Sequence, residues 1–387
     1  MTHPLEGIRV LDMSRVLAGP FAGRMLADLG ADVVKVEPPD GDVTRNWGAR
    51  INDQAGYFNQ QNVGKRGICV NLDVHGGATL IKQLAAKADV LIENFRPDVM
   101  PRLGLGYDVL KQINPRLVML SISGFGHNGP ESRRAAYAPI VHAESGLIAR
   151  QKKITGAHAT DIGVSIADTN AALHGLVGLL SALLMRQRTG EGQHVDIAMI
   201  DSMLVTDDHL HYTVDNAEHL KPMPSEVWDT AAGTLLIASD FRHVWKQLTT
   251  RAGVVDPTPA DATLDEKIKV RRATARAFFK NLPDRAAVIK ALDGMNLAWG
   301  DVREGAETLE LPTVKHRGTI TRVDDGAGGE RPVVQSPYRF SDASSGARGA
   351  SPKQGQHNAE VLADWLGFDA QTIESLRAGG VLMSADG

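Results

Sequence analysis

From Arg9 onward the chain alternates short β-branched runs with amphipathic stretches, and this alternation restricts the fold more than any other feature. Arg9 to Met13 is a strand candidate. Pro20 opens a helix through Met25, Leu26 and Leu29, which Gly30 closes. Asp32-Val33-Val34-Lys35-Val36-Glu37 is a β-branched strand, stopped by Pro38-Pro39. Gly67 to Leu72 is another strand, after which Leu80, Ile81, Leu84, Ala85 and Ala88 share one helical face. Asp89 to Glu93 and Leu117 to Ile122 continue the series. Apolar strands that alternate with helices are covered on both faces, which indicates a parallel α/β sheet. Right-handed crossovers then gather the loops at the strand carboxyl ends, where ligands bind.

The middle of the chain changes character. Residues 127–160 are looser and polar. An apolar run from Ala171 to Met185 predicts a helix ending near Arg186 and Arg188. Thr189-Gly190-Glu191-Gly192-Gln193 then leads into a strand at His194 to Ala198 and a helix from Asp201. Residues 221–235, with Pro222, Pro224 and Gly233, read as a loop or boundary. One strand candidate, Thr234 to Ala238, precedes helices over 265–281 and 284–293 that are rich in Lys and Arg. Gly326-Ala327-Gly328-Gly329 is a turn, Ser341 to Ser351 a small-residue loop, and 359–366 and 370–378 are terminal helices.

With 387 residues the chain exceeds one ordinary core. A net charge of −4 gives no basic excess for nucleic acid, although a local anion site is compatible with it. Cys69 is the sole cysteine, so no intrachain disulfide forms and a reducing compartment is expected. The segment Met1 to Glu6 lacks an apolar signal core. The run after Asp168 is about 15 residues long and interrupted by Gly175 and Gly178, short for a bilayer. The expectation is a soluble cytoplasmic protein with neither a membrane nor a nucleic-acid partner.

Asp168 is the most suggestive single residue. It stands in Ala167-Asp168-Thr169-Asn170, just before the apolar run, where Asp is a preferred helix N-cap. The positive end of the helix keeps such a carboxylate ionised, so it can serve as a plain cap or as a nucleophile. Other chemistries find less support. Gly104-Leu105-Gly106 lacks the third glycine and the strand–helix context of a dinucleotide fingerprint. The densest metal-type cluster, Asp207-Asp208-His209-Leu210-His211, has His209 and His211 two residues apart, which points them to different faces of a helix. No Gly-x-Ser-x-Gly elbow occurs, and Cys69 lies inside an apolar strand. Arg15, Lys35, Arg45, Arg96 and Arg102 fall near ends of the N-terminal elements, as a solvated surface or as an anion site. Trp47 and Tyr57 follow the second strand and could pack or line a channel.

A set of ordered strings resembles the class III CoA-transferases, the family of formyl-CoA transferase, carnitine CoA-transferase and α-methylacyl-CoA racemase. They are Leu5-Glu6-Gly7-Ile8-Arg9-Val10-Leu11-Asp12, Ala18-Gly19-Pro20 and Leu26-Ala27-Asp28-Leu29-Gly30-Ala31-Asp32-Val33-Val34-Lys35-Val36-Glu37. Asn71-Leu72-Asp73, Ala88-Asp89-Val90-Leu91-Ile92-Glu93-Asn94-Phe95-Arg96-Pro97 and Ser145-Gly146-Leu147 come next along the chain. The Asp168 segment, Thr189 to Asp196, Gly355-Gln356-His357-Asn358 and Glu360-Val361-Leu362 complete the set, which is weakest over 215–320.

The resemblance implies a Rossmann-like parallel-sheet large domain (1–215), a smaller α+β domain with its linkers (216–325) and a C-terminal segment (326–387) returning to the large domain. It also implies ring-shaped subunits interlocked as a homodimer. The implied activity moves CoA from an acyl-CoA thioester to a small carboxylic acid. Asp168 would pass through an aspartyl anhydride and an aspartyl-CoA thioester, with no permanently bound cofactor and no metal. Implied CoA contacts are Val16, Lys35, Leu72, His75, Asn94, Phe95, Arg102, Leu103 and Tyr137.

The racemase branch pairs its Asp with a His eight residues before the Ser of the Ser145-Gly146 pair. Tyr137 occupies that slot, and His142 lies five residues on, about 140° around a helix. Transfer is therefore expected. Epimerisation of a 2-methylacyl-CoA and a non-catalytic CoA-binding role are the alternatives. Departures from formyl-CoA transferase are Leu17 for a glutamine, Pro38 for an arginine, His75 for a lysine, Ala138 for an Asp, and Pro222 to Gly233 with Trp228 for a glycine-rich loop. Oxalate and formate are accordingly poor expectations as substrates.

Overall fold

A computed structural model describes residues 2–216 and 225–384, so Pro222 and Pro224 lie outside the described residues. The chain forms two compact units: Met1–Asp208 with Thr313–Gly387, and His209–Pro312.

The larger unit is built on six parallel strands, β1 Arg9–Asp12, β2 Asp32–Glu37, β3 Arg66–Cys69, β4 Val90–Glu93, β5 Val118–Ser123 and β6 His194–Ala198. Their order is β3-β2-β1-β4-β5-β6. Side chains alternate between the faces, as the two-residue strand period requires. Val10, Val33, Ile92 and Leu120 enter one apolar cluster, and Leu11, Val34, Leu91 and Met119 the other. The order of strands reverses between β1 and β4, so the loops after them open a crevice at their carboxyl ends.

Three helices border that crevice: α1 Ala18–Asp28, α2 Ala138–Glu144 and α3 Ile166–Thr189. At 24 residues, α3 outruns the apolar stretch that announced it, because a turn is added at each end. Asp168, Ala171, Ala172, Gly175, Leu176, Leu179, Ala182, Leu183 and Arg186 form its buried row. Small residues in that row let it sit close to the sheet; a Cβ on Gly175 would meet a Leu120 methyl at 3.0 Å. The stretch 127–160, expected to be loose, contains α2 and a second helix, Leu147–Thr155.

The C-terminal helix Asn358–Leu366 adds Val361, Leu362 and Trp365 to the second cluster. The return to this unit begins at Thr313, ahead of the expected residue 326. The hairpin Ile320–Asp324/Glu330–Val334 belongs to it because Val323 and Val333 pack on Val63. In the smaller unit, Glu226–Thr230, Gly233–Ile237 and Trp299–Asp301 form an antiparallel sheet. Much of the expected 221–235 loop is therefore a hairpin. Trp228, 1% exposed, is a core residue packed edge-on against Phe279, with Leu235 and Ile237 beside it.

A buried ion pair fixes the turn that leaves β1. Lys65 Nζ lies 2.7 Å from Asp12 Oδ2, both side chains fully buried, and also donates to the Pro20 carbonyl and to Asn62 Oδ1. Gly23 makes room for it, since a Cβ there would lie 2.6 Å from Asp12 Oδ2. Lys65→Met leaves the Asp12 carboxylate buried and unpaired, and is expected to cost about 3–5 kcal/mol. A urea titration should move its midpoint down, and adding Asp12→Asn should recover part of the loss.

Candidate active site

The β1–α1 turn is tightly determined. Asp12 Oδ1 accepts the Ser14 N–H at 3.1 Å and the Ser14 hydroxyl. Val16 sits at φ +68, a left-handed conformation that β-branched residues rarely adopt, and its N–H donates to Asp42 Oδ2 at 3.2 Å. Gly19 is obligatory, because a Cβ would lie 2.1 Å from Ser14 Cβ. Asn94, after β4, ties the two loops together: its Oδ1 accepts the Arg15 N–H and its Nδ2 donates to the Arg15 carbonyl, both at 2.8 Å. Glu93 Oε2 accepts the Phe95 N–H at 2.8 Å, and the Arg15 guanidinium lies over the Phe95 ring.

Asp168 lies where helix starts converge. It is the third residue of α3, whose N-cap position is Ser165, so it is not the cap expected from the sequence. Its carboxylate instead serves other helices. Oδ2 accepts the N–H of Ala138, first residue of α2, at 3.1 Å, and the N–H of Ala18, first residue of α1, lies close enough to favour its charged form. First-turn N–H groups have no partner within their own helix, and this carboxylate supplies one of them. Ala138 contributes through its backbone, so loss of the usual Asp side chain there leaves this bond intact.

Asp168 is 9% exposed. Burial pushes its pKa up to about 6, against the backbone N–H groups of Ala138 and Ala18, which hold it down. A carboxylate poised there stays mostly ionised above neutral pH and is more basic than an ordinary Asp.

Two adjoining chambers flank this point. The inner one, about 350 Å³, is lined by Asp168, Ala18, Asn94, Ser123, Gly124, Arg134 and Met199 among others. The outer one, about 780 Å³, is lined by Lys35, Leu72, Arg102 and Leu103 among others. Arg15, Val16, Phe95, Arg96 and Tyr137 line both, so the two chambers meet at the loops after β1 and β4. Tyr137 is 61% exposed there.

Of the residues expected from the sequence, Asp168, Val16, Lys35, Leu72, Asn94, Phe95, Arg102, Leu103 and Tyr137 thus line these spaces, and His75 does not. His75 is exposed beyond the end of β3. Lys35 is a correction in role. Its Nζ is buried, bonded to the Ser14 carbonyl at 2.6 Å and paired with Asp42 at 3.1 Å, so it braces the wall and has no reach to a phosphate. Arg45 is likewise committed, forked onto Glu37 and stacked on Phe58. Arg15, Arg96 and Arg102 remain as cations facing the chambers. Leu17 is buried and lines neither chamber. Trp47 and Tyr57 stack edge-to-face at 5.2 Å. Burial raises the Tyr57 pKa, and the charges of Asp168 and Asp42 raise it further. Arg134 and Met199 carried no sequence signal; only the meeting of distant loops brings them to Asp168.

Residues 5–358 match the model of CoA-transferase family III. The chain belongs to that family. A succinate–glutarate CoA-transferase from Agrobacterium fabrum is 34% identical, covering 93% of this chain and 95% of the relative. A human succinyl-CoA:glutarate CoA-transferase is 30% identical over 98% of this chain and 90% of its own length. The crystal structure of a CaiB/BaiF family protein from Brucella suis superposes with a TM-score of 0.80 at 32% identity, covering 94% of this chain and all of that one. Both of these sequence relatives are named as CoA-transferases.

The raised Asp168 pKa has a consequence for stability. A folded-state value of about 6 against the ordinary 3.8 means folding penalises the ionised form. Stability from this group is fully present below about 3.8 and lost as pH rises through about 6, a cost of up to about 3 kcal/mol at neutral pH. Asp168→Asn, whose carbonyl still accepts the Ala138 N–H, should unfold at higher temperature than wild type in neutral buffer. Thermal unfolding across pH should show the gain vanishing toward the ordinary carboxylate range.

Proposed function

We propose that this protein moves CoA from an acyl-CoA thioester to a small carboxylic acid, with Asp168 as nucleophile. The single observation that carries the reading is a buried carboxylate, bonded by the helix-start N–H of Ala138, in a chamber beside a larger one. The outer chamber has the size of a ligand site, and Arg15, Arg96 and Arg102 supply cations for phosphates of CoA. Names of relatives that act on succinyl-CoA and glutarate favour a dicarboxylate acceptor.

In the proposed cycle the Asp168 carboxylate attacks the thioester carbonyl carbon. The C–S bond breaks, CoA leaves as thiolate, and a mixed anhydride remains on Asp168. The thiolate attacks the aspartyl carbonyl, expelling the donor's carboxylate and leaving aspartyl-CoA. The acceptor carboxylate attacks that thioester, releasing thiolate and forming a second anhydride. Thiolate then attacks the acceptor's carbonyl, giving the new acyl-CoA and free Asp168. No net proton is consumed, and the acyl group stays activated throughout. The Ala138 N–H that holds Asp168, with the Ala18 N–H nearby, is suited to the oxyanion developing on its own carbonyl.

Epimerisation would need a second acid–base group beside Asp168. His142 is nearest in character, yet both its ring nitrogens are occupied and its side chain is fully buried. Solvent deuterium entering the α-carbon of a 2-methylacyl-CoA would overturn the transfer reading.

A homodimer in the cytoplasm completes the proposal. Leu173, Val177, Leu180 and Leu184 are exposed along one side of α3, an apolar row suited to a second copy. Sedimentation equilibrium should find a dimer that Val177→Glu weakens.

Incubation with succinyl-CoA and hydroxylamine should leave a hydroxamate on Asp168, read by peptide mass. Transfer to a panel of mono- and dicarboxylates should fall as pH drops through about 6, as the nucleophile is protonated. An Asp168→Ala protein that transfers CoA as fast as wild type would sink the idea.

A further inference from the structure

His142 is a fully buried histidine that the transfer cycle does not use. It lies on α2, and its imidazole spans two elements. Nδ1 is 2.7 Å from Asp161 Oδ1, and Nε2 is 3.2 Å from the backbone nitrogen of Ala167. Ala167 is the second residue of α3 and the immediate neighbour of Asp168.

Both contacts can be hydrogen bonds in only one state of the ring. Ala167 N–H is a donor, so Nε2 must hold a lone pair. Asp161 is an acceptor, so Nδ1 must carry the proton. An imidazolium, or the opposite tautomer, would set an N–H at Nε2 against the Ala167 N–H. Ser165, at the N-cap position of α3, makes no side-chain cap bond. The imidazole therefore stands in for the missing cap from another helix, satisfying one of the orphan donors of the first turn. Asp161 selects the tautomer, as carboxylates do for other functional histidines.

The arrangement is reciprocal. Asp168 on α3 accepts the first N–H of α2, while His142 on α2 accepts the second N–H of α3. The two helix starts are cross-capped, and the rotation of α3 that aims Asp168 at the inner chamber is set from both sides.

We propose that His142 and Asp161 are positioning residues for the nucleophile: Asp161 holds His142 as the neutral Nδ1–H tautomer, and His142 caps α3 so that Asp168 faces the thioester. The effect on turnover rests on the transferase reading, while the tautomer and the cap do not. Partners that orient a reacting group are worth about 10–100-fold.

The test uses the full chain, with succinyl-CoA and glutarate as substrates, and imidazole ¹⁵N shifts of labelled protein. Wild type should show His142 protonated at Nδ1 alone. Asp161→Ala, on a partly exposed side chain, should keep the fold by circular dichroism, lose the fixed tautomer, and lower kcat by about tenfold or more with KM for succinyl-CoA little changed. His142→Phe should likewise keep the fold and lower kcat, and His142→Gln, whose amide offers an acceptor to Ala167 and a donor to Asp161, should restore much of the rate. An Nε2–H or doubly protonated His142 in wild type would overturn the inference, as would wild-type kcat in both Asp161→Ala and His142→Phe. If wild type transfers no CoA to any acceptor, the functional reading fails by itself, and the ¹⁵N shifts still decide the tautomer.

Discussion

Backbone N–H groups left over at helix starts organise this molecule. Three helices, α1, α2 and α3, begin around one small volume, and each brings donors with no partner in its own first turn. Buried donors without acceptors are costly, so acceptors must be brought to them. Asp168 supplies one of those bonds and His142 another. The same bonds that make the helix starts tolerable also hold the carboxylate ionised and aimed.

That convergence depends on the β1–α1 turn. Asp12, paired with Lys65 and bonded to Ser14, fixes where the chain leaves β1. Val16 is held in a left-handed conformation, Gly19 lies against Ser14, and Ala18 then presents its N–H to Asp168. Asn94 locks the corresponding loop after β4 to the same turn. Stability and reactivity meet here in opposite senses. Burying Asp168 raises its pKa and costs folding energy, and the same burial makes the carboxylate more basic than an ordinary Asp.

Several positions show why contact with a crevice is not the same as a role in it. Lys35 and Asn94 lie where a CoA contact was expected, yet their polar atoms are consumed in bracing the loops. Arg45, grouped with the crevice cations by its place in the chain, is used on Glu37 and Phe58. Trp228, read as part of a loop, is a core residue because alternate residues of its hairpin face inward. Side-chain commitment depends on neighbours distant in sequence, such as Lys65 for Asp12 and Asp161 for His142, and no local pattern carries that information.

The sequence by itself determined the parallel α/β sheet, since β-branched runs spaced by amphipathic helices can bury both strand faces in few other ways. It also singled out Asp168, because an acid just ahead of a long apolar run is placed at a helix start whatever the tertiary arrangement. Tertiary structure alone decided what Asp168 does there. Its bond goes to the first residue of another helix and not to a cap of its own, and His142, expected on the far side of α2, reaches across to cap α3. The physical reason is that a helix start creates a demand for acceptors that the sequence reveals, while which side chain meets it is settled only by packing.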